Sequence, residues 1–229
     1  MSDHEYDPNP PPIGKRPARR KLHRREHLCS WRYLTFSCYH RLQLFGNPAI
    51  RDVFVDKLRR AREKHRFRLI AWVVMPDHVH IIIVPRVVVG YDNGWPLVAS
   101  TSTVKNIYAT LKKSVSSVVL NRWREINAPI LPRLTLPDGS MHFWQPGGGF
   151  DRNIRDDAEC WKEIRYIHNN PVRRELVRHA AEWPWSSARW YEGERDGQLP
   201  IDNDHGVTPW TPPEAWVREA TRIHPRDVE

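Results

Sequence analysis

The sequence predicts an α+β fold: a ferredoxin-like, split βαβ antiparallel sheet with one helix added at its C-terminal end. Three observations carry this expectation. The segments read strand, helix, strand, strand, helix, strand, helix, which is the split βαβ order plus one. Two β-rich runs flank the turn signal Pro76-Asp77 as a hairpin. Helix punctuation stands at the right places, with Asn47-Pro48 opening the first helix and Pro171 closing the last.

The elements follow in order. From Trp31, the residues Trp31, Tyr33, Thr35 and Ser37 alternate with Arg32, Leu34, Phe36 and Cys38, a strand pattern. Asn47 is a natural cap and Pro48 a natural first helical residue, so a helix runs to about Lys64 with Ile50, Val53, Phe54, Leu58 and Ala61 inward. Phe67 to Met75 and His78 to Val84 form the hairpin arms. Gly90 to Pro96 reads as a loop, and a second helix extends from about Thr103 to Glu125. After a stretch punctuated by Pro129, Pro132 and Pro137, His142 to Gln145 reads as a short strand and Gly147-Gly148-Gly149 as a flexible turn. A third helix spans about Asp157 to Asn169.

A chain of 229 residues supports one domain with a real core. Residues 1–27 are a Pro-rich and then strongly basic tail, 28–191 the folded domain, and 192–229 a polar, Pro-rich extension expected to lie loosely on the surface. Lys and Arg outnumber Asp and Glu by 36 to 27, a net charge of +9 that favours an anionic partner such as nucleic acid. Eleven tryptophans suit stacking on unpaired bases as well as core packing. Three cysteines, Cys29, Cys38 and Cys160, are odd in number and lack CxxC spacing, which argues against a disulfide framework or a cysteine-built zinc site. With no long apolar run and no signal-peptide core, the expected location is the cytoplasm, with no membrane partner.

Two groups of residues carry candidate chemistry. His78 and His80 are two apart on a strand, so their imidazoles share one face, near the sheet edge, and can bind one metal ion. An ordinary polar pair gives the same pattern. On the third helix, Ala158, Trp161, Ile164 and Ile167 make the core-facing stripe, while Tyr166 lies nearly opposite with Asn170 one turn on. Tyr166 is therefore poorly placed as a core aromatic. A solvent-exposed tyrosine beside Glu159, Lys162 and Glu163 is the plainer alternative.

The run Trp72-Val73-Val74-Met75-Pro76-Asp77-His78-Val79-His80, followed downstream by Tyr166-Ile167-His168-Asn169-Asn170-Pro171-Val172, resembles the single-tyrosine transposases of the His-hydrophobic-His superfamily. Within it, the chain is most similar to the REP-associated tyrosine transposases. Phe143-Trp144-Gln145-Pro146, Ile154-Arg155-Asp156, Trp183-Pro184-Trp185-Ser186-Ser187 and the opening Leu34-Thr35-Phe36 and Tyr39-His40-Arg41 fit as well. The likeness covers about residues 30–191. It departs from the family pattern at Gly147-Gly148-Gly149, where relatives carry a basic and aromatic stretch.

The resemblance implies a metal-dependent endonuclease and strand transferase acting on single-stranded, hairpin-containing DNA. Tyr166 matches the nucleophile that forms a 5′-phosphotyrosine, and His78, His80 and Asn170 match the metal ligands. A phenol ionises only near about pH 10, so such a nucleophile needs positive surroundings. Two imidazoles suit zinc or manganese by ligand softness, whereas the resemblance implies Mg²⁺ or Mn²⁺. Residues expected to grip DNA are Lys105, Lys112 and Lys113 on the second helix, Arg152, Arg155, Arg173 and Arg174 around the third, and Trp144 as a stacking platform. Nucleoid association follows from that partner. A non-cleaving binder of structured single strands and a structural zinc protein are the competing readings, and monomer and homodimer both stay open.

Overall fold

The computed structural model describes residues 31–202 except 86, 93–94, 101–102, 148 and 196, and for 87–92 and 95–100 it describes the backbone alone. The predicted basic tail and most of the C-terminal extension lie outside the described residues.

Four strands, β1 (Arg32–Ser37), β2 (Arg68–Val74), β3 (His78–Val84) and β6 (Phe150–Asn153), pair in the order β2-β3-β1-β6. Every neighbouring pair is antiparallel. Helices α1 (Pro48–His65) and α2 (Val104–Glu125) cover one face. After the one-turn α3 (Leu131–Leu134), the shorter α4 (Asp157–His168) covers the other. This is the predicted split βαβ architecture with its added C-terminal helix.

The alternation of side chains divides the core. Leu34, Phe36, Val79, Ile81 and Ile83 point toward α1 and α2, whereas Tyr33, Ile82 and Val84 point toward α4. β3 is therefore apolar on both sides except at His78 and His80. It is an interior strand, so those histidines sit at a strand end and not at the sheet edge that the turn suggested.

Helix starts are chemically explicit. Asn47 accepts from the Ala49 amide (2.9 Å) with Pro48 next, Thr103 accepts from Asn106 (3.2 Å), and Asp156 accepts from Glu159 (2.8 Å). α4 is followed at once by the short α5 (Asn170–Arg173), with Pro171 in its first turn, where a missing N–H costs little.

Three expectations are corrected. The expected loop at Gly90–Pro96 is flanked by two antiparallel paired strands, β4 (Val87–Asp92) and β5 (Trp95–Ser100), with Gly90 and Pro96 inside them. The fourth sheet strand is β6, not 142–145, where only an isolated bridge joins Trp144 to Cys38. The compact part also continues past Tyr191: Leu199 and Ile201 are buried in the core, the Asp202 amide donates to the Leu69 carbonyl, and the Asp202 carboxylate accepts from the Leu69 amide and pairs with Arg62. Two apolar residues alternating in a polar stretch suffice to dock that segment. Among the described residues, no helix is long and apolar enough to cross a membrane.

Candidate active site

The register of β1 against β3 sets the site's floor. Thr35 lies opposite His80 and Ser37 opposite His78, all on the face toward α4. His80 Nδ1 meets two hydroxyls, those of Thr35 (2.6 Å) and Tyr33 (2.8 Å). Its Nε2 is buried and has no hydrogen-bond partner among the described residues. Burial, followed by the neighbouring His78 and Arg41, pushes the His80 pKa from 6.5 down to about 3. The imidazole is therefore neutral at physiological pH, and its Nε2 offers a lone pair in the tautomer that carries the proton on Nδ1.

His78 stands 4.7 Å from His80, ring centre to ring centre, and donates from Nδ1 to the buried Asp77 carboxylate (2.7 Å). Burial raises the Asp77 pKa, but the His78 hydrogen bond and the nearby charges of His78, Arg41 and Arg174 outweigh it and hold the carboxyl below its ordinary range. Asp77 thus fixes which His78 nitrogen carries the proton. Such a carboxylate–histidine pair orients imidazoles at metal sites.

α4 brings the second group of residues over this floor. Cys160, Ile164, Ile167 and His168 face the core, a stripe rotated from the predicted one because Ala158 is exposed. Tyr166 is left 42% exposed on the other side, its ring centre 5.8 Å from that of His80 within the same chain. Asn170 is buried and donates its Nδ2 to the Tyr166 carbonyl (2.8 Å), which leaves its side-chain oxygen as a free acceptor type. Arg173 places its guanidinium 5.4 Å from the centre of the Tyr166 ring.

These side chains line one cleft of about 300 Å³: Thr35, Arg41, His78, His80, Tyr166, Asn170, Arg173 and Arg174. Three guanidiniums and no carboxylate line it, so the cleft favours an anion. Tyr166, His78, His80 and Asn170, far apart in sequence and expected to converge, line this one cleft together.

Most of the expected DNA-gripping residues are elsewhere. Lys105, Lys112 and Lys113 are on α2, across the sheet from the cleft. Lys112 is half-buried over Phe36 and donates to the Gly147 carbonyl (3.0 Å), and Lys113 lines a different groove with Lys57, Arg60 and Lys64. Arg152 is committed to ion pairs with Glu159 and Glu163, and Arg155 pairs with Glu159 while staying largely exposed. Trp144 is corrected outright. It is only 8% exposed, packed edge-on against Phe36 and Phe143 with its Nε1 bonded to the Lys112 carbonyl, so no base can stack on it. Only Arg173 and Arg174 reach the cleft. Arg41 and Asp77 were not singled out by sequence. The carboxylate directly before a His-x-His pair was the available signal for Asp77, while Arg41 arrives by a turn that nothing local announces.

No family model matches the chain. It is 27% identical over 154 residues to the REP-associated tyrosine transposase of Escherichia coli (strain K12), covering 67% of this chain and 71% of that protein. A Haemophilus influenzae protein carrying the same family name is 25% identical over 134 residues, 58% of this chain and 66% of its own length. The solved structure of a REP-associated tyrosine transposase bound to a REP hairpin shares the fold. It superposes with a TM-score of 0.52 at 20% identity, over 82% of this chain and 94% of that one. In sequence and in fold, this chain is similar to the REP-associated tyrosine transposases.

Proposed function

We propose that this chain is a transposase-type endonuclease and strand transferase that cuts single-stranded DNA through a tyrosine–DNA intermediate. The observation that carries the reading is the single cleft holding the Tyr166 phenol beside His80, His78 and Asn170 under three arginines. The similar solved protein is bound to a REP hairpin, and hairpin-forming single strands are the substrate class taken here.

In the proposed reaction, the Tyr166 oxygen attacks a phosphorus, the P–O3′ bond breaks, and the phenolic proton ends on the departing 3′ oxygen. The product is a 5′-phosphotyrosine and a free 3′ hydroxyl. Because the new linkage retains a phosphodiester's energy, a second 3′ hydroxyl can reverse the chemistry and rejoin DNA. Arg173 and Arg174 favour the anionic strand, and the half-exposed phenol is accessible to it.

The residues also fit a divalent ion, Mg²⁺ or Mn²⁺. His80 offers a buried nitrogen without a hydrogen-bond partner among the described residues, His78 has its other nitrogen spent on Asp77, and Asn170 presents an amide. With His78 and His80 as the two imidazole donors, the amide oxygen of Asn170 is the third ligand in this proposal. Bound there, the ion would polarise the scissile phosphate as a Lewis acid.

The test uses labelled hairpin-forming single strands with Mn²⁺ and a search for a denaturant-resistant protein–DNA adduct. Native protein forms it; Tyr166→Phe binds the DNA but forms none, and His80→Ala loses at least about 100-fold in rate. Equal adduct from native and Tyr166→Phe chains removes the phenol from the reaction. Binding without adduct from the native protein reduces the chain to a hairpin-binding protein.

A further inference from the structure

Between β1 and α1 the chain makes an unusual turn. His40 (φ 48°, ψ 27°) and Arg41 (φ 58°) both adopt left-handed backbone, although neither is glycine. Side chains there crowd the backbone, so consecutive residues of this kind persist only where surroundings hold them. Here the His40 amide donates to the Gln145 side chain (3.0 Å), and the Arg41 and Leu42 amides donate to the carbonyls of Cys38 (3.1 Å) and Tyr39 (3.0 Å).

The result is that Arg41 is aimed into the cleft. Its Nε lies 3.4 Å from Asp77 Oδ2 and its Nη1 donates to Ser37 Oγ (2.9 Å). From the other wall, after α5, Arg174 Nη2 approaches the same Asp77 Oδ2 at 3.6 Å. The carboxylate's second oxygen is taken by His78. One buried carboxylate, 7% exposed at its side chain, therefore holds two guanidiniums that are about half exposed toward solvent, 55% for Arg41 and 47% for Arg174. Two positive charges against one negative leave one uncompensated, and a phosphodiester carries the matching charge.

We infer that Arg41 and Arg174, held on either side of Asp77, form a clamp for the non-bridging oxygens of the phosphate that Tyr166 attacks. Guanidiniums match phosphate oxygens in planar, paired hydrogen bonds. As the Tyr166 oxygen bonds to phosphorus and the P–O3′ bond breaks, negative charge builds on those oxygens, and preplaced cations stabilise it without reorganising. Arg41 is thereby a catalytic residue, not a member of a general DNA-gripping surface. The inference rests on the cleavage reading above.

The two can fail separately. Hairpin oligonucleotides with randomised flanks and Mn²⁺ first establish whether the native protein forms an adduct; none at all overturns both. With adduct formation in hand, single-turnover rates at saturating DNA are compared with binding measured by fluorescence anisotropy. Arg41→Ala is expected to lose about 100-fold in rate while its Kd changes less than about threefold, and Arg41→Lys to recover part of the loss. Guanidinium ions added to Arg41→Ala are expected to restore at least about tenfold, with no effect from equal sodium chloride. Arg41→Gln, nearly the same size but neutral, must show the same deficit and melt within a few degrees of the native protein. A native rate in Arg41→Ala and Arg41→Gln, a loss of binding in proportion to rate, or a deficit that guanidinium leaves untouched overturns the clamp.

Discussion

Glu159 shows how a single side chain can redirect the reading of its neighbours. It stands in the first turn of α4, accepting from the Arg155 amide (2.8 Å) and pairing with the guanidiniums of Arg155 and Arg152. Burial works against its charge, but those bonds win and bring its pKa from 4.5 to about 2. A folded pKa below the unfolded one means that the contribution is present above about pH 4.5 and fades as pH falls toward 2. Allowing for partial solvent screening, Glu159→Gln is expected to cost about 1–2 kcal/mol at neutral pH. Urea titrations of both proteins should show that gap narrowing between about pH 5 and about pH 3. A gap independent of pH would mean that the carboxylate's charge is irrelevant. The same pairs take Arg152 and Arg155 out of the DNA-gripping set. Arg155 and Glu159 are one helical turn apart in sequence, but the pairs of Arg152 with Glu159 and Glu163 form only when β6 lies beside α4.

Among the elements, β6 depends on a glycine. Gly149 has φ +78°, and a Cβ there would stand 2.5 Å from the Thr35 carbonyl oxygen and 3.2 Å from Phe36 Cβ. Both neighbours belong to β1, which cannot retreat without disturbing its pairing to β3. Gly149→Ala is therefore expected to cost about 2–4 kcal/mol, measured by urea or thermal unfolding. Gly147, at φ +97° with nothing nearby, is the control, and Gly147→Ala should cost about 1 kcal/mol. Equal costs would show that backbone strain, and not the close approach to β1, governs the loop. From sequence, the three glycines announced a turn but not which of them was indispensable. The helices were legible because their caps are local chemistry, as at Asn47, Thr103 and Asp156. β6 was not, because Phe-Asp-Arg-Asn carries no apolar alternation; Asp151 is buried with its carboxylate in a bidentate pair with Arg32 across the strands. His78 and His80 were legible for the opposite reason, since a two-residue period fixes a shared face without any tertiary knowledge.

At the scale of the whole molecule, the sheet separates two kinds of surface. One side carries the long helices with their lysines, and the other the short helix and the cleft. Tyr166 and Asn170 could be paired on paper by helical spacing, but their meeting with His78 and His80 follows from α4 packing back on β2 and β3. Arg41 and Asp77 needed more still, a strand pairing and a left-handed turn together. That α4 folds onto its own sheet has an outcome in mixtures. Phenol and imidazoles come from one polypeptide, so combining Tyr166→Phe chains with His80→Ala chains should yield no adduct at any ratio. Activity emerging from that blend would reveal helices traded between partners. With no such activity, the proposed cleavage runs within one chain, and adduct yield should rise with the first power of protein concentration, however dilute the sample.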